Sequence, residues 1–185
     1  MDQALPFFLF CRRLMVIDVL NCFLRGNSDI KVTIHKNRIL LAEDNDGDVF
    51  LVRRALEKRG LSHELVLAHN GEEALVWLDH HSGDHNGSAR PDLILLDLNL
   101  PRVDGGQLLS HIRKSDAFSR TPVIVLTSSD SPKDRQMALE LGANLYFRKP
   151  TDLASFMDLG RIIEETLRGV PEFGPTQQAE PRAHN

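Results

Sequence analysis

The chain has 185 residues, with 22 Lys plus Arg against 26 Asp plus Glu, 42% hydrophobic residues and a formal net charge of -4. That length holds one domain of ordinary size with a remainder and excludes a second, and the composition excludes a chain too polar to fold. Mild acidity excludes the basic footprint of a general nucleic-acid binder, and both cysteines, Cys11 and Cys22, fall in the leader, so the rest suits a reducing, cytoplasmic setting.

Taken in chain order, residues 1–37 come first as an N-terminal extension. Apolar runs at 4–11 and 14–20 are interrupted by Arg12, Arg13 and Asp18. Each such charge at the centre of a span costs about 2.5–3.5 kcal/mol on insertion scales, so no membrane span is expected. The acidic start and the lack of a small-residue cleavage site also disfavour a secretory signal. The stretch reads as a disordered arm, a docked helix, a membrane-surface anchor, a partner-binding helix, or an upstream mis-start with translation beginning near Val32. At the other end, residues 169–185 carry Pro171, Pro175 and Pro181 among polar residues, which marks a disordered tail.

Residues 38–168 form the domain between these ends. Runs at 38–42, 92–96 and 122–126 are nearly continuous in Ile, Leu and Val, the pattern of parallel strands buried on both faces. The runs at 63–69 and 143–148 are weaker and fit strands nearer the sheet edges. Helical spacing separates the runs: Val49, Val52 and Leu56; Ala74, Leu75 and Leu78; Leu108, Leu109 and Ile112; Met137, Ala138 and Leu141; then Leu153, Phe156, Gly160, Ile163 and Leu167. Gly60 and Gly142 fit helix C-terminal stops, and Thr151 or Asp152 an N-cap. Five strands alternating with five helices predict a doubly wound α/β sheet, in which ligands bind at the carboxyl ends of the strands.

Those ends carry chemistry. The first run stops at Glu43 and Asp44, the third at Asp97, the fourth at Thr127 and Ser128, and the fifth just before Lys149 and Pro150. Two carboxylates about 4 Å apart repel by about 4 kcal/mol at an effective dielectric near 20, so such a cluster calls for a cation. Oxygen ligands without His or Cys match Mg²⁺. Three carboxylates against one Mg²⁺ and Lys149 give a nearly neutral site, ready for an anion. A carboxylate attacking a phosphoryl donor there would find its transition state stabilised by positioned charge, with a hydrogen bond from Thr127.

These segments, ILLAED at 39–44, PDLILLDLNLPRVDG at 91–105, PVIVLTSS at 122–129 and GANLYFRKP at 142–150, resemble the receiver domain of two-component response regulators. The stretch EDNDGDVFLVRRAL at 43–56 looks most like small single-domain regulators paired with bacterial phytochromes. The resemblance implies a flavodoxin-like (βα)5 fold with strand order 2-1-3-4-5 and a phosphoacceptor at Asp97. It implies Mg²⁺ or Mn²⁺ held by Asp44, Asp97 and the backbone carbonyl of Asn99, with Glu43 acting through a metal-bound water. Glu43 departs from the more common Asp, and its longer side chain still reaches such a water. Thr127 and Lys149 would bind the phosphoryl group, Thr127 and Tyr146 would form the switch, and the bond before Pro150 would be cis. The small Ser128 leaves room for phosphodonors. The implied partner is a sensor histidine kinase, of phytochrome type, or a phosphotransfer protein. Neither nucleic acid nor a membrane span is implied, and the last helix is the place for a homodimer. The protein would catalyse only its own phosphorylation and dephosphorylation.

Other signals are discounted. His80, His81 and His85 look metal-like but lie in a Gly- and Ser-rich stretch that reads as a solvated loop. Arg53, Arg54, Lys58 and Arg59 read as a solvated face, with kinase docking as the functional alternative, and Trp77 as packing. Three rivals stand beside the receiver reading. A metal-dependent phosphatase would want a second acid where Asn99 stands. A flavin module would want a phosphate-cradling loop where EDNDGD is acidic. A degenerate receiver would lack the acceptor, the Thr or the Lys, all of which are present.

Overall fold

The computed structural model describes residues 36–83 and 90–169. The leader up to residue 35, the tail from residue 170, both cysteines and His85 lie outside the described residues. Five parallel strands form one sheet: β1 (Asn37–Ala42), β2 (His63–Ala68), β3 (Leu93–Asp97), β4 (Val123–Thr127) and β5 (Leu145–Arg148). Their order is β2-β1-β3-β4-β5, the (βα)5 order expected, with the two weakest runs at the edges. The switch point lies between β1 and β3, where successive crossovers run in opposite directions from β1.

The strands alternate with α1 (Asp46–Lys58), α2 (Gly71–Ser82), α3 (Gly105–Lys114), α4 (Pro132–Glu140) and, at the end, α5 (Leu153–Phe156) and α6 (Asp158–Leu167). Because strand side chains alternate between faces, the central strands split cleanly between two cores. Leu40, Ile94, Leu96, Val123 and Val125 pack with Ala74, Leu78, Leu108 and Ile112 of α2 and α3. Ile39, Leu41, Leu95, Ile124 and Leu126 pack with Val52, Leu56, Leu159 and Ile163 of α1 and α6. Each such side chain is fully buried, and each Leu, Ile or Val among them contributes about 1.5–3 kcal/mol relative to exposure.

Caps set the helix starts. Asn45, Asn70, Asp104, Ser131 and Asp152 each accept a backbone N–H three residues on, satisfying donors that the first turn leaves free. Gly60 and Gly142 end α1 and α4 with φ of 62° and 93°, a region where an L side chain is strained.

Three expectations are corrected here. The last stripe is not one helix but two, broken at Met157, and Leu153 is exposed instead of buried. Met137 is also exposed, because α4 buries Ala138 as its core contact. His80 and His81 belong to α2, which runs on to Ser82. His81 stacks on Trp77 with ring centroids 4.1 Å apart, and its Nδ1 lies 2.6 Å from the Trp77 carbonyl. That pairing one helical turn apart carries the helix past the point where the composition turns loop-like.

Candidate functional site

The carboxyl edge of the sheet brings the expected residues together. Glu43 follows β1 directly, and its N–H donates to Ala68 O at 3.0 Å, extending the β1–β2 ladder by one residue. This holds the Glu43 side chain in a fully buried position. Asp97 is the last residue of β3 and is buried. Its Oδ1 accepts the Asn99 N–H at 2.9 Å, which fixes the carboxylate in the turn that follows. That turn is tight: Gly105 lies so close that a Cβ there would stand 2.2 Å from the Asp97 carbonyl oxygen. A side chain cannot be accommodated, so the first residue of α3 must be Gly for the helix to start against the acceptor loop.

Lys149 comes from the far side of the sheet. Its N–H donates to Thr127 O at 2.8 Å, continuing the β4–β5 pairing beyond Arg148. The alternation then turns Arg148 outward and Lys149 inward. The Lys149 side chain is 6% exposed, and its ammonium donates to Glu43 Oε2 at 2.7 Å, Asp97 Oδ2 at 2.6 Å and Asp48 Oδ2 at 2.8 Å. The Lys149–Pro150 bond is trans, as is every peptide bond among the described residues, which corrects the expected cis bond. Before proline the two isomers differ by only about 0.5–1 kcal/mol, and the ammonium reaches all three carboxylates with the trans bond in place.

Glu43, Asp44 and Asp97 each present an oxygen within 4.8 Å of the others. Asp44 is exposed at the mouth while its two neighbours are buried. An all-oxygen donor set with one solvent-facing member fits a small hard divalent cation, which keeps several waters. Asp48 is the residue that sequence reasoning missed. It sits in the first turn of α1, where an acid is ordinarily explained by the helix dipole, and only the closure of β5 against the sheet discloses its contact with Lys149. Three carboxylates, Glu43, Asp48 and Asp97, thus hold the Lys149 ammonium, and Asp44 lies beside two of them.

Burial pushes the Glu43 carboxyl up to about 7, against the opposing pull of its hydrogen bond with Lys149. For Lys149, burial favours the neutral amine, but hydrogen bonds to Asp48, Asp97 and Glu43 outweigh it and hold the ammonium above its ordinary range. The Glu43 shift has a sign that can be measured. Between the ordinary 4.5 and about 7 the folded protein keeps a proton that the unfolded chain has released. Its contribution is therefore full below 4.5 and lost as pH rises through about 7, a fall of about 3 kcal/mol. Urea unfolding in EDTA is expected to show this fall in the native protein, and Glu43→Gln is expected to remove it. An unchanged slope in the variant would refute the assignment.

Thr127 is fully buried at the end of β4, and its Oγ1 accepts the Ser129 N–H at 3.1 Å. Tyr146 is half-buried on β5 and donates its hydroxyl to Ser129 O at 3.1 Å. The two residues expected to form the switch therefore meet through Ser129, whose own hydroxyl donates to Asp134 Oδ2 at 2.6 Å on α4. Burial raises the Tyr146 hydroxyl above its usual range, so it remains a donor at neutral pH.

Comparison with known proteins agrees with this geometry. The family model for the response regulator receiver domain matches residues 39–159. The probable methanogenesis regulatory protein FilR2 of Methanothrix harundinacea is 41% identical over 127 residues, covering 69% of this chain and 79% of its own length. Response regulator Rcp1 of Synechocystis is 38% identical over 126 residues, covering 68% and 85%. Among solved structures, the phosphorylated cyanobacterial phytochrome response regulator RcpA matches with a TM-score of 0.66 at 35% identity, over 75% of this chain and 98% of its own. The Mn²⁺-bound form of Rcp1 matches with a TM-score of 0.63 at 35% identity, over 74% and 97%. With a family model matching residues 39–159 and relatives 41% and 38% identical over more than two thirds of the chain, the chain belongs to the response regulator receiver family of two-component signalling.

Proposed function

We propose that Asp97 accepts a phosphoryl group from the phosphohistidine of a sensor histidine kinase or phosphotransfer protein, and that the phosphorylated state is the signal. The observation that carries this reading is the Asp97 carboxylate itself, buried, anchored on one oxygen by Asn99 and paired on the other with Lys149. In the transfer an Asp97 oxygen attacks phosphorus, the P–N bond breaks, and the imidazole leaves with its electron pair. The Asn99 N–H holds the attacking carboxylate in place, and the Lys149 ammonium lies beside the oxygens that become more negative. Thr127, at the adjacent strand end, supplies a hydroxyl to a phosphoryl oxygen by giving up its bond from Ser129. Glu43, Asp44, Asp97 and the Asn99 carbonyl would hold Mg²⁺ or Mn²⁺, which when bound offsets the carboxylate repulsion and the charge of the incoming phosphoryl group.

The hydrogen bonds around Ser129 support a switch. A Thr127 hydroxyl drawn to the phosphoryl group releases the Ser129 N–H, and the Tyr146 hydroxyl bonds to the same residue. Such a change shifts populations only if the phosphoryl contacts are made mainly in one state. A groove of about 470 Å³ beside the site, lined by Phe50, Arg54, Glu57, Lys58, Leu153 and Met157, supports docking of the phosphodonor protein. Phe50 and Leu153, 59% and 61% exposed, are its apolar contacts. Similarity to RcpA and Rcp1 supports a phytochrome-type kinase as the partner and a cytoplasmic protein. Among the described residues no helix is long and apolar enough to cross a membrane.

Intact-mass spectrometry with acetyl phosphate tests the reading. One phosphoryl group is expected in the presence of Mg²⁺ and none in EDTA. Failure to label, or labelling indifferent to chelation, contradicts it.

A further inference from the structure

We infer that Asp48 sets the receiver's affinity for the phosphoryl group, by competing with it for the Lys149 ammonium; this rests on the reading of Asp97 as the acceptor. An ammonium has three N–H donors, and all three on Lys149 are taken, by Glu43, Asp48 and Asp97. A phosphoryl oxygen on Asp97 must draw on the same three donors. Phosphorylation removes the charge of the Asp97 carboxylate, but Asp48 stays, holding its share of the ammonium beside a group that carries a charge of about -1.5 to -2.

The charge balance also marks Asp48 as the surplus. A divalent cation and Lys149 together neutralise Glu43, Asp44 and Asp97, whose oxygens form the close cluster. Asp48 stands outside that cluster and adds one uncompensated negative charge. Its backbone is tied to the helix start, where its N–H donates to the Asn45 cap at 3.1 Å. Its side chain is 24% exposed while that of Lys149 is 6% exposed. Asp48 is therefore the partner nearest solvent, and its effect on an anion in the site is sensitive to salt.

A receiver with this residue holds its phosphoryl group less tightly than its remaining ligands allow. Asp48 is a positioning residue, since it acts on the phosphoryl group through Lys149 and its own field.

The probe is beryllofluoride with Mg²⁺, an analogue that coordinates a carboxylate oxygen as the phosphoryl group does, followed by fluorine NMR. Asp48→Asn, which keeps size and removes charge, is expected to bind roughly tenfold tighter than the native protein at low salt. The difference should shrink at high salt, and Asp48→Glu, which keeps the charge, should return affinity to near the native value. Those last two readouts separate an electrostatic competitor from a residue that merely stabilises α1. Equal or weaker binding by Asp48→Asn overturns the inference, because Asp48 would then be neutral or a holder of Lys149 for the anion. A native protein that binds no beryllofluoride, or an Asp97→Asn variant that still binds it, instead overturns the acceptor reading and this inference with it.

Discussion

Replacing Asp97 with Asn is expected to reduce phosphoryl labelling by acetyl phosphate to background while leaving the fold intact. The amide is no nucleophile at neutral pH, so the loss is of the reacting atom and not of a supporting contact. The structural cost is small, because the Asn oxygen can still accept the Asn99 N–H that now goes to Asp97 Oδ1. Lys149 keeps Glu43 and Asp48 as partners. Removing one of the clustered carboxylates also relieves repulsion, so the urea midpoint in EDTA should stay level or rise. Intact mass and urea unfolding check the two halves separately. Residual labelling in the variant would mean that another side chain receives the group.

Replacing Lys149 with Met has the largest expected effect on stability. Met fills the space of the stem but removes the ammonium from between Glu43 and Asp97, both buried. Removing one partner of a buried ion pair typically costs about 3–5 kcal/mol, because the other partner is left uncompensated. Glu43, already pushed up to about 7 by burial, would lose the one contact that opposes the shift most and take up a proton more readily. The loss should therefore be largest in EDTA at alkaline pH, and Mg²⁺ should recover a substantial part by supplying the missing positive charge. Urea unfolding with and without Mg²⁺ at two pH values measures this. Equal stability of the variant and the native protein in EDTA would show that the ammonium is not the counterion of the cluster.

Much of the fold was legible because its signals are local. The runs around Ile39–Leu41, Leu93–Leu96 and Val123–Leu126 are apolar at every position, and only burial on both faces of a sheet accounts for that. The polar residues at their ends then had one place to meet. Legibility failed where the outcome depends on a partner distant in the chain. The acids of EDNDGD look alike in sequence, and Asp48 differs from Asp46 only because Lys149, far along the chain, arrives beside it. Met137 and Leu153 have helical spacing with core residues but lie at the margin of their stripes, where the width of the neighbouring surface decides exposure. His80 and His81 stand in a stretch of loop-like composition, and the stacking of His81 on Trp77 extends the helix regardless. The isomer of the Lys149–Pro150 bond, trans here, is not legible in the sequence because the local preference is too weak to decide it.

The central claim is that one carboxylate among four neighbours receives the phosphoryl group, and its position can be read chemically. After reaction with acetyl phosphate and Mg²⁺, borohydride reduction converts an aspartyl phosphate to homoserine, and peptide mass spectrometry locates it. A single homoserine at position 97 is the expected result. Homoserine at position 44 or 48, or none at all, would contradict the account.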